Sequence, residues 1–305
     1  MRIVSLVPHA TELLFALGLG PQVVAVTHEC DHPPAALELP RITRDVLTGG
    51  LSAGEIDAAV RERTLEGGAI YELDREALAA LEPELIVTQA LCPVCAVSYE
   101  EVAELARGLP SRPQVLALDP KTLEETLGDV YALAEATGHY AEGRALVRDA
   151  EQRIKRITQA VHARPRPRVV ALEWLDPVYA AGHWTPQLIE LAGGEDVLSH
   201  AGAPSQTVSW EAVAAAEPDV VIVMPCGYDA PRAHAEAVTH SSELARLSAG
   251  RIVAVNASAY FSRPGPRLID GLELLGHILH PQQVRSAPGE ALALELSGAV
   301  GGRAH

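Results

Sequence analysis

The stretch REALAALEPELIVTQ (75–89) aligns without a gap on WEAVAAAEPDVVIVM (210–224), with the Glu-Pro pair at the same place in both. No other feature constrains the fold as strongly, because one helix-to-strand plan used twice implies two units of one architecture. RIVSL (2–6) likewise resembles RVVAL (168–172), and TELLFALGLG (11–20) resembles TPQLIELAGG (185–194). Short apolar runs alternate with helical patterns around these pieces. RIVSLV (2–7) reads as a strand, followed by a helix from about Thr11 to Leu17 that ends at Gly18. QVVAVT (22–27) and ELIVTQ (84–89) read as strands. SAGEIDAAVRERTLEG (52–67) reads as a helix opened by Ser52 and Glu55 as a capping box. Such alternation predicts parallel sheets flanked by helices.

Residues 121–164 differ from both halves. Leu123, Leu127, Val130, Leu133 and Ala134 fall at helical spacing, Gly138-His139 breaks the run, and a second helical run ends at RPRPR, whose prolines stop it. The expected fold class is therefore α/β: two similar lobes with mostly parallel sheets, joined by a long helix, with a ligand cleft between the lobes. The expected boundaries are a first lobe at 1–120, a connecting helix region at 121–164, a second lobe at 165–285 and a Gly- and Ala-rich, partly disordered tail at 286–305.

A net charge of −16 argues against nucleic acid and against anionic membrane surfaces, both of which need clustered Lys and Arg. No apolar run reaches the roughly 18 residues of a membrane span, and MRIVSLVPHATELL has no signal-peptide pattern. The expectation is a cytoplasmic protein as given, or a periplasmic or cell-surface one if an export signal has been removed. Four cysteines in 305 residues form no disulfide framework.

His28-Glu29-Cys30-Asp31-His32 matches the zinc-protease string H-E-x-x-H. That string works only on a helix, and Pro33 and Pro34 disfavour helical backbone just before them. The segment therefore reads as a loop at the carboxyl end of a strand. GLSAG (50–54) matches a nucleophile elbow but lacks the strong strand that must precede it. CPVC (92–95) reads equally well as a redox or metal pair and as two small residues in a loop.

The cysteines share a placement. Cys30 follows the strand at 22–27, Cys92 and Cys95 follow the strand at 84–89, and Cys226 follows DVVIVM (219–224). His9 and Trp174 follow the first strand of each half. The carboxyl ends of open α/β sheets are where ligands bind. The predicted strand-end loops also hold Trp174, Tyr179, Trp184, Tyr228, Tyr260 and Phe261, in a chain only 4% aromatic. That concentration points to a broad, partly apolar ligand.

SLVPHATELLFALGLG, DHPP, LAALEPELIV, VYAAGHWTPQLIELAGGEDVL, VSWEAVAAAEPDVVIV and AYFSRPGPRLIDGLELLGHIL together resemble the periplasmic binding proteins of ABC importers for cobalamin, iron-siderophore and haem. Within that family the chain looks most like the cobalamin-binding branch. The resemblance implies docking onto an importer permease through an acidic residue on each lobe, here Glu76 and Glu211. Each lies in the first turn of a helix, where a carboxylate also simply favours the helix dipole. Two departures stand out: the missing signal peptide, and a cleft richer in His and Cys than corrin binding requires, with His9, His28, Cys30, Cys92, Cys95, His183 and Cys226. The segment at 43–72 is also longer than the family's usual one.

The leading expectation is non-enzymatic binding of a cobalamin-type corrinoid. Trp174, Tyr179, Trp184, Tyr260 and Phe261 would cover the macrocycle, with Tyr228 nearby. Polar groups near His9, Glu29 and Gln89 would bond the peripheral amides. His28, His183 or a cysteine would donate to cobalt's open axial position. One alternative is a metal or iron–sulfur redox protein using Cys30, Cys92, Cys95 and Cys226. Another is an iron-siderophore or haem binding subunit of an ABC importer.

Overall fold

The apolar N-terminal run folds into strand β1 (Ile3–Ser5), all of it buried. The chain continues through α1 (Pro8–Ala16), β2 (Val23–Ala25), β3 (Thr43–Asp45), α2 (Ala53–Leu65), β4 (Tyr71–Leu73), α3 (Arg75–Ala80), β5 (Leu85–Gln89), α4 (Tyr99–Gly108), β6 (Gln114–Leu118), α5 (Leu123–Thr137) and α6 (Tyr140–Val161). The computed structural model describes residues 1–47, 50–65, 70–89 and 99–295. By its contacts the chain divides into two units. The first is Met1–Gln152 with Pro264–Pro266, and the second is Arg153–Arg263 with Arg267 onward.

In the first unit the strand order is β2-β1-β5-β6, every pair parallel. A parallel sheet must be covered on both faces, and alternation along β1 does this. Ile3 joins Leu13, Leu14, Leu17, Val130 and Leu133 from α1 and α5. Val4 joins Leu78, Val102 and Ala106 from α3 and α4. β3 and β4 form a separate antiparallel pair. The capping box of α2 is present, with Ser52 Oγ donating to Glu55 Oε2 at 2.8 Å and accepting from Glu55 N–H at 3.4 Å.

The second unit contains β7 (Arg168–Leu175), β8 (Val178–Ala180), α7 (Thr185–Leu191), β9 (Glu195–Asp196), β10 (Gln206–Thr207), α8 (Trp210–Ala215), β11 (Val220–Val223), α9 (Ala230–Thr239), α10 (Ser241–Leu244), β12 (Arg251–Val255), α11 (Ala257–Tyr260), α12 (Leu268–Leu279) and β13 (Ala291–Ala293). β9, β7, β11 and β12 pair in parallel and repeat the order β2-β1-β5-β6 of the first unit. Antiparallel β8, β10 and β13 are additions to that plan.

Two expectations change. α1 begins at Pro8 rather than Thr11, because proline at the first helical position costs no hydrogen bond; this moves His9 from a loop into a helix. β13 lies within the stretch expected to be tail. Ala291–Ala293 pair antiparallel with Val253–Val255 of β12, which offers them an edge. The helical region at 121–164 breaks into two helices at Gly138, where the sequence places the break. Gly138, at φ +75°, ends α5 in the left-handed conformation, and α6 runs for 22 residues, about 33 Å, contributing to both units.

Candidate functional site

At the carboxyl end of the first unit's sheet, the loop after β2 is built from hydroxyls. Thr11 Oγ1 lies 3.1 Å from Cys30 Sγ and donates to Ser5 Oγ at 2.8 Å, while Thr27 Oγ1 lies 3.4 Å from the same sulfur. Cys30 is fully buried in the apolar cluster under α1. Its expected role at a ligand surface is therefore corrected: the thiol ties β2 to α1, because the loop turns it inward between two threonines. His9 and Gln89 are buried as well.

His28 and Glu29 are only partly buried. Thr43 Oγ1 accepts from the His28 N–H at 3.0 Å and lies 2.7 Å from His28 Nδ1. Tyr71 donates its hydroxyl to Glu29 Oε1 at 3.0 Å, and its ring lies 5.0 Å from the His28 ring at 57°. Thr43 and Tyr71 come from β3 and β4, so the long 43–72 segment supplies both partners of the His28-Glu29 pair. Sequence reasoning missed Tyr71. Its signal was there, as an aromatic at the end of a segment already marked as unusual.

Both short motifs lose their enzymatic meaning. Residues 28–33 are not helical, so His28 and His32 do not form a zincin pair. Ser52 serves α2 as a cap. Among the described residues no group of three or more His, Cys, Asp or Glu is arranged to hold a metal ion. Cys30 and Cys226 belong to different units, and Cys92 and Cys95 lie outside the described residues.

The second unit's strand ends carry the aromatics. Trp174, at the end of β7, donates Nε1–H to Asp176 O at 2.9 Å and meets Tyr228 edge-on at 5.6 Å. The Arg232 guanidinium lies 3.7 Å from the Tyr228 ring centroid, a cation–π stack. Tyr179 sits opposite Trp174 across the β7–β8 hairpin. Gly182 is needed for the turn that follows, since a Cβ there would lie 2.4–2.6 Å from the backbone of Ala203, Pro204 and Ser205. This close approach holds His183 at φ +54°, with its N–H donating to Ala203 O at 2.6 Å.

Trp184, Tyr228 and Phe261 are 6%, 4% and 3% exposed. Trp184 donates Nε1–H to Phe261 O at 2.7 Å. Gly271 lets α12 approach, because a Cβ there would lie 3.0 Å from Phe261 Cε1 and 2.5 Å from Tyr260 O. Trp184 and Phe261 are thus buried, which corrects their expected role as covering surfaces, while Trp174, Tyr179, His183 and Tyr260 are partly exposed. Cys226 is exposed after β11. Glu173 was not anticipated. Burial pushes its carboxyl up to about 7, against the opposing bonds from Ser205 and the Gly182 N–H.

Glu76 and Glu211 are exposed and occupy the same helix position. Asp74 caps α3 by accepting from Ala77 N–H, and Ser209 caps α8 by accepting from Ala212 N–H. No helix among the described residues is long and apolar enough to cross a membrane.

The chain as a whole has known counterparts. The chain is 27% identical over 279 residues to the vitamin B12-binding protein of Vibrio cholerae, covering 89% of this chain and 86% of that protein. It superposes on the crystal structure of the periplasmic vitamin B12 binding protein BtuF of Vibrio cholerae with a TM-score of 0.65, at 26% identity, over 91% of this chain and 96% of that one. The periplasmic heme-binding protein RhuT from Roseiflexus sp. RS-1 gives a TM-score of 0.70 at 25% identity, over 92% and 98%. The periplasmic binding protein family model matches residues 3–254, and the chain belongs to that family.

Proposed function

We propose that this is a non-enzymatic solute-binding protein for a cobalamin-type corrinoid. It works outside the cytoplasm and hands its ligand to an ABC importer permease through Glu76 and Glu211. The observation that carries the reading is the length of the match to the vitamin B12-binding relative, which takes in 89% of this chain rather than one motif. The similarity to periplasmic binding proteins favours that location over the cytoplasmic one expected from the sequence. In the second unit Trp174, Tyr179, His183 and Tyr260 offer flat, partly apolar surfaces of the kind a macrocycle needs, and in the first unit Glu29 and Tyr71 offer polar groups. A thiolate metal centre has less support, since the Cys30 sulfur is buried in the core. A haem-binding reading is the second one, favoured by the TM-score of 0.70 to RhuT.

Gel filtration of the full chain with hydroxocobalamin, cyanocobalamin or hemin, read by absorbance, tests both. The expected result is co-elution of each cobalamin at one per chain. The variant Trp174→Ala should bind about 30-fold more weakly, about 2 kcal/mol, as truncation of an aromatic contact costs. Co-elution of hemin alone would establish the second reading in place of the first.

A further inference from the structure

We infer that His28 is the residue that touches the metal: its Nε2 takes the exchangeable axial position on the cobalt of a bound corrinoid, in place of water. The inference rests on the corrinoid reading above and deepens it. Of the side chains with a lone pair to offer, Cys30 is withdrawn into the core, with its sulfur between the hydroxyls of Thr11 and Thr27. Cys226 stands exposed on the loop after β11, with its backbone N–H donating to Glu173 O at 3.0 Å.

His28 has the surroundings of a metal-binding imidazole. A ligating histidine characteristically has its second ring nitrogen bonded to an orienting group, which sets the tautomer and the ring plane. Here that group is Thr43 Oγ1, 2.7 Å from Nδ1. The same oxygen accepts from the His28 backbone N–H at 3.0 Å. A hydroxyl oxygen can accept twice, so the tautomer with Nδ1–H toward Thr43 leaves a lone pair on Nε2. The residue is also held at its carbonyl, which accepts from the Arg41 guanidinium. The Tyr71 ring lies against the imidazole at 5.0 Å, itself anchored by its bond to Glu29. Backbone nitrogen, backbone oxygen and Nδ1 are thus all fixed, by groups from β3 and the segment between β2 and β3. The ring nevertheless remains partly exposed. Fixing one residue at so many points aims its remaining nitrogen before any ligand arrives.

The step is a ligand exchange. The cobalt–oxygen bond to water breaks, the Nε2 lone pair forms the cobalt–nitrogen bond, and water leaves. No proton or electron is transferred, and the cobalt keeps its oxidation state.

Hydroxocobalamin and cyanocobalamin separate this from simple binding, because water on cobalt exchanges and cyanide holds. The wild-type chain should shift the visible bands of hydroxocobalamin as nitrogen replaces oxygen, and should retain cyanocobalamin without a shift. His28→Ala should abolish the shift. Thr43→Val keeps the imidazole and removes its anchor. It should weaken hydroxocobalamin about ten- to a hundred-fold, the usual effect of losing a group that orients a metal ligand, and leave cyanocobalamin affinity unchanged. Wild-type co-elution without a shift overturns the inference and leaves corrinoid binding standing, as does a shift that persists in His28→Ala. Should His28→Ala hold neither corrinoid, Thr43→Val decides: selective loss of hydroxocobalamin supports the inference, and equal loss of both overturns it. If the wild type retains no corrinoid, the functional reading itself fails and takes this inference with it.

Discussion

Arg2 and Arg168 do the same work in the two units. Each backbone N–H donates to an acidic side chain, Glu84 at 2.7 Å and Asp219 at 2.8 Å, and each guanidinium closes the end of a helix, bonding Leu81 O or Ala216 O. Glu82 and Glu217, just before the paired prolines, both sit at φ +44°. A non-glycine residue rarely adopts that conformation, so its recurrence at both Glu-Pro sites ties the repeat to backbone detail that no alignment displays. Glu173 has no such counterpart, and it carries a prediction. Its folded pKa, about 7, lies above the ordinary carboxyl value of 4.5. The fold therefore favours the protonated form. The stability this gives is fully present below about pH 4.5 and is lost as pH rises through 7. Glu173→Gln imitates the protonated carboxyl at every pH. Urea unfolding should find the variant and wild type alike near pH 4.5, and the variant more stable at pH 8 by about 2–3 kcal/mol. Equal stabilities at pH 8 would refute the account. Residues of this kind were illegible beforehand, since Glu173 stands in an apolar strand as an isolated charge and only the turn at Gly182 encloses it.

Strands and parallel order were legible because fully buried parallel strands leave continuous apolar runs such as VVIV and LIV, bounded by turn residues. Helix ends were less so: Pro8 reads as a breaker until its place at the first helical position is known. The candidate site was legible as strand-end loops. Which rings form its surface was not, because Trp184 and Trp174 are the same residue type in similar loops and differ only in what packs over them. The partners of α6 were hidden for the same reason. Arg153 forks between Asp270 at 2.5 Å and Glu273 at 2.8 Å, and Arg156 reaches Glu273 at 2.7 Å, joining α6 to α12. The Arg153 side chain is 23% exposed and that of Arg156 64%, and this difference decides their weights. Arg153→Ala takes from Asp270 its partner and leaves Glu273 with Arg156 alone, and should cost about 2 kcal/mol in urea unfolding. Arg156→Ala loses a screened pair and should cost under about 1 kcal/mol. Equal costs would show that the pairing is a surface effect.

Across the whole molecule, duplication explains why one helix position carries a carboxylate twice. Glu76 and Glu211 are each the second residue of a short helix whose cap is a side-chain oxygen, and each is exposed. At Glu211 the residue's own N–H and the Ser209 hydroxyl hold the carboxyl below its usual range, so it stays charged. A first-turn carboxylate also favours the helix dipole, weakly at an exposed site. If that were its whole purpose, replacing it would alter stability slightly and nothing else. If instead the pair is what a permease reads, reversing the charge places like charges against the permease's cations, and the two units should contribute separately. Glu76→Arg and Glu211→Arg should each weaken stimulation of the cognate importer's ATPase in lipid nanodiscs about ten-fold, and together abolish it. Corrinoid retention in gel filtration should stay at the wild-type level in all three variants, because neither residue is among the strand-end groups proposed to hold the ligand. ATPase stimulation left intact in the double variant would reduce both carboxylates to first-turn charges that favour their helix dipoles.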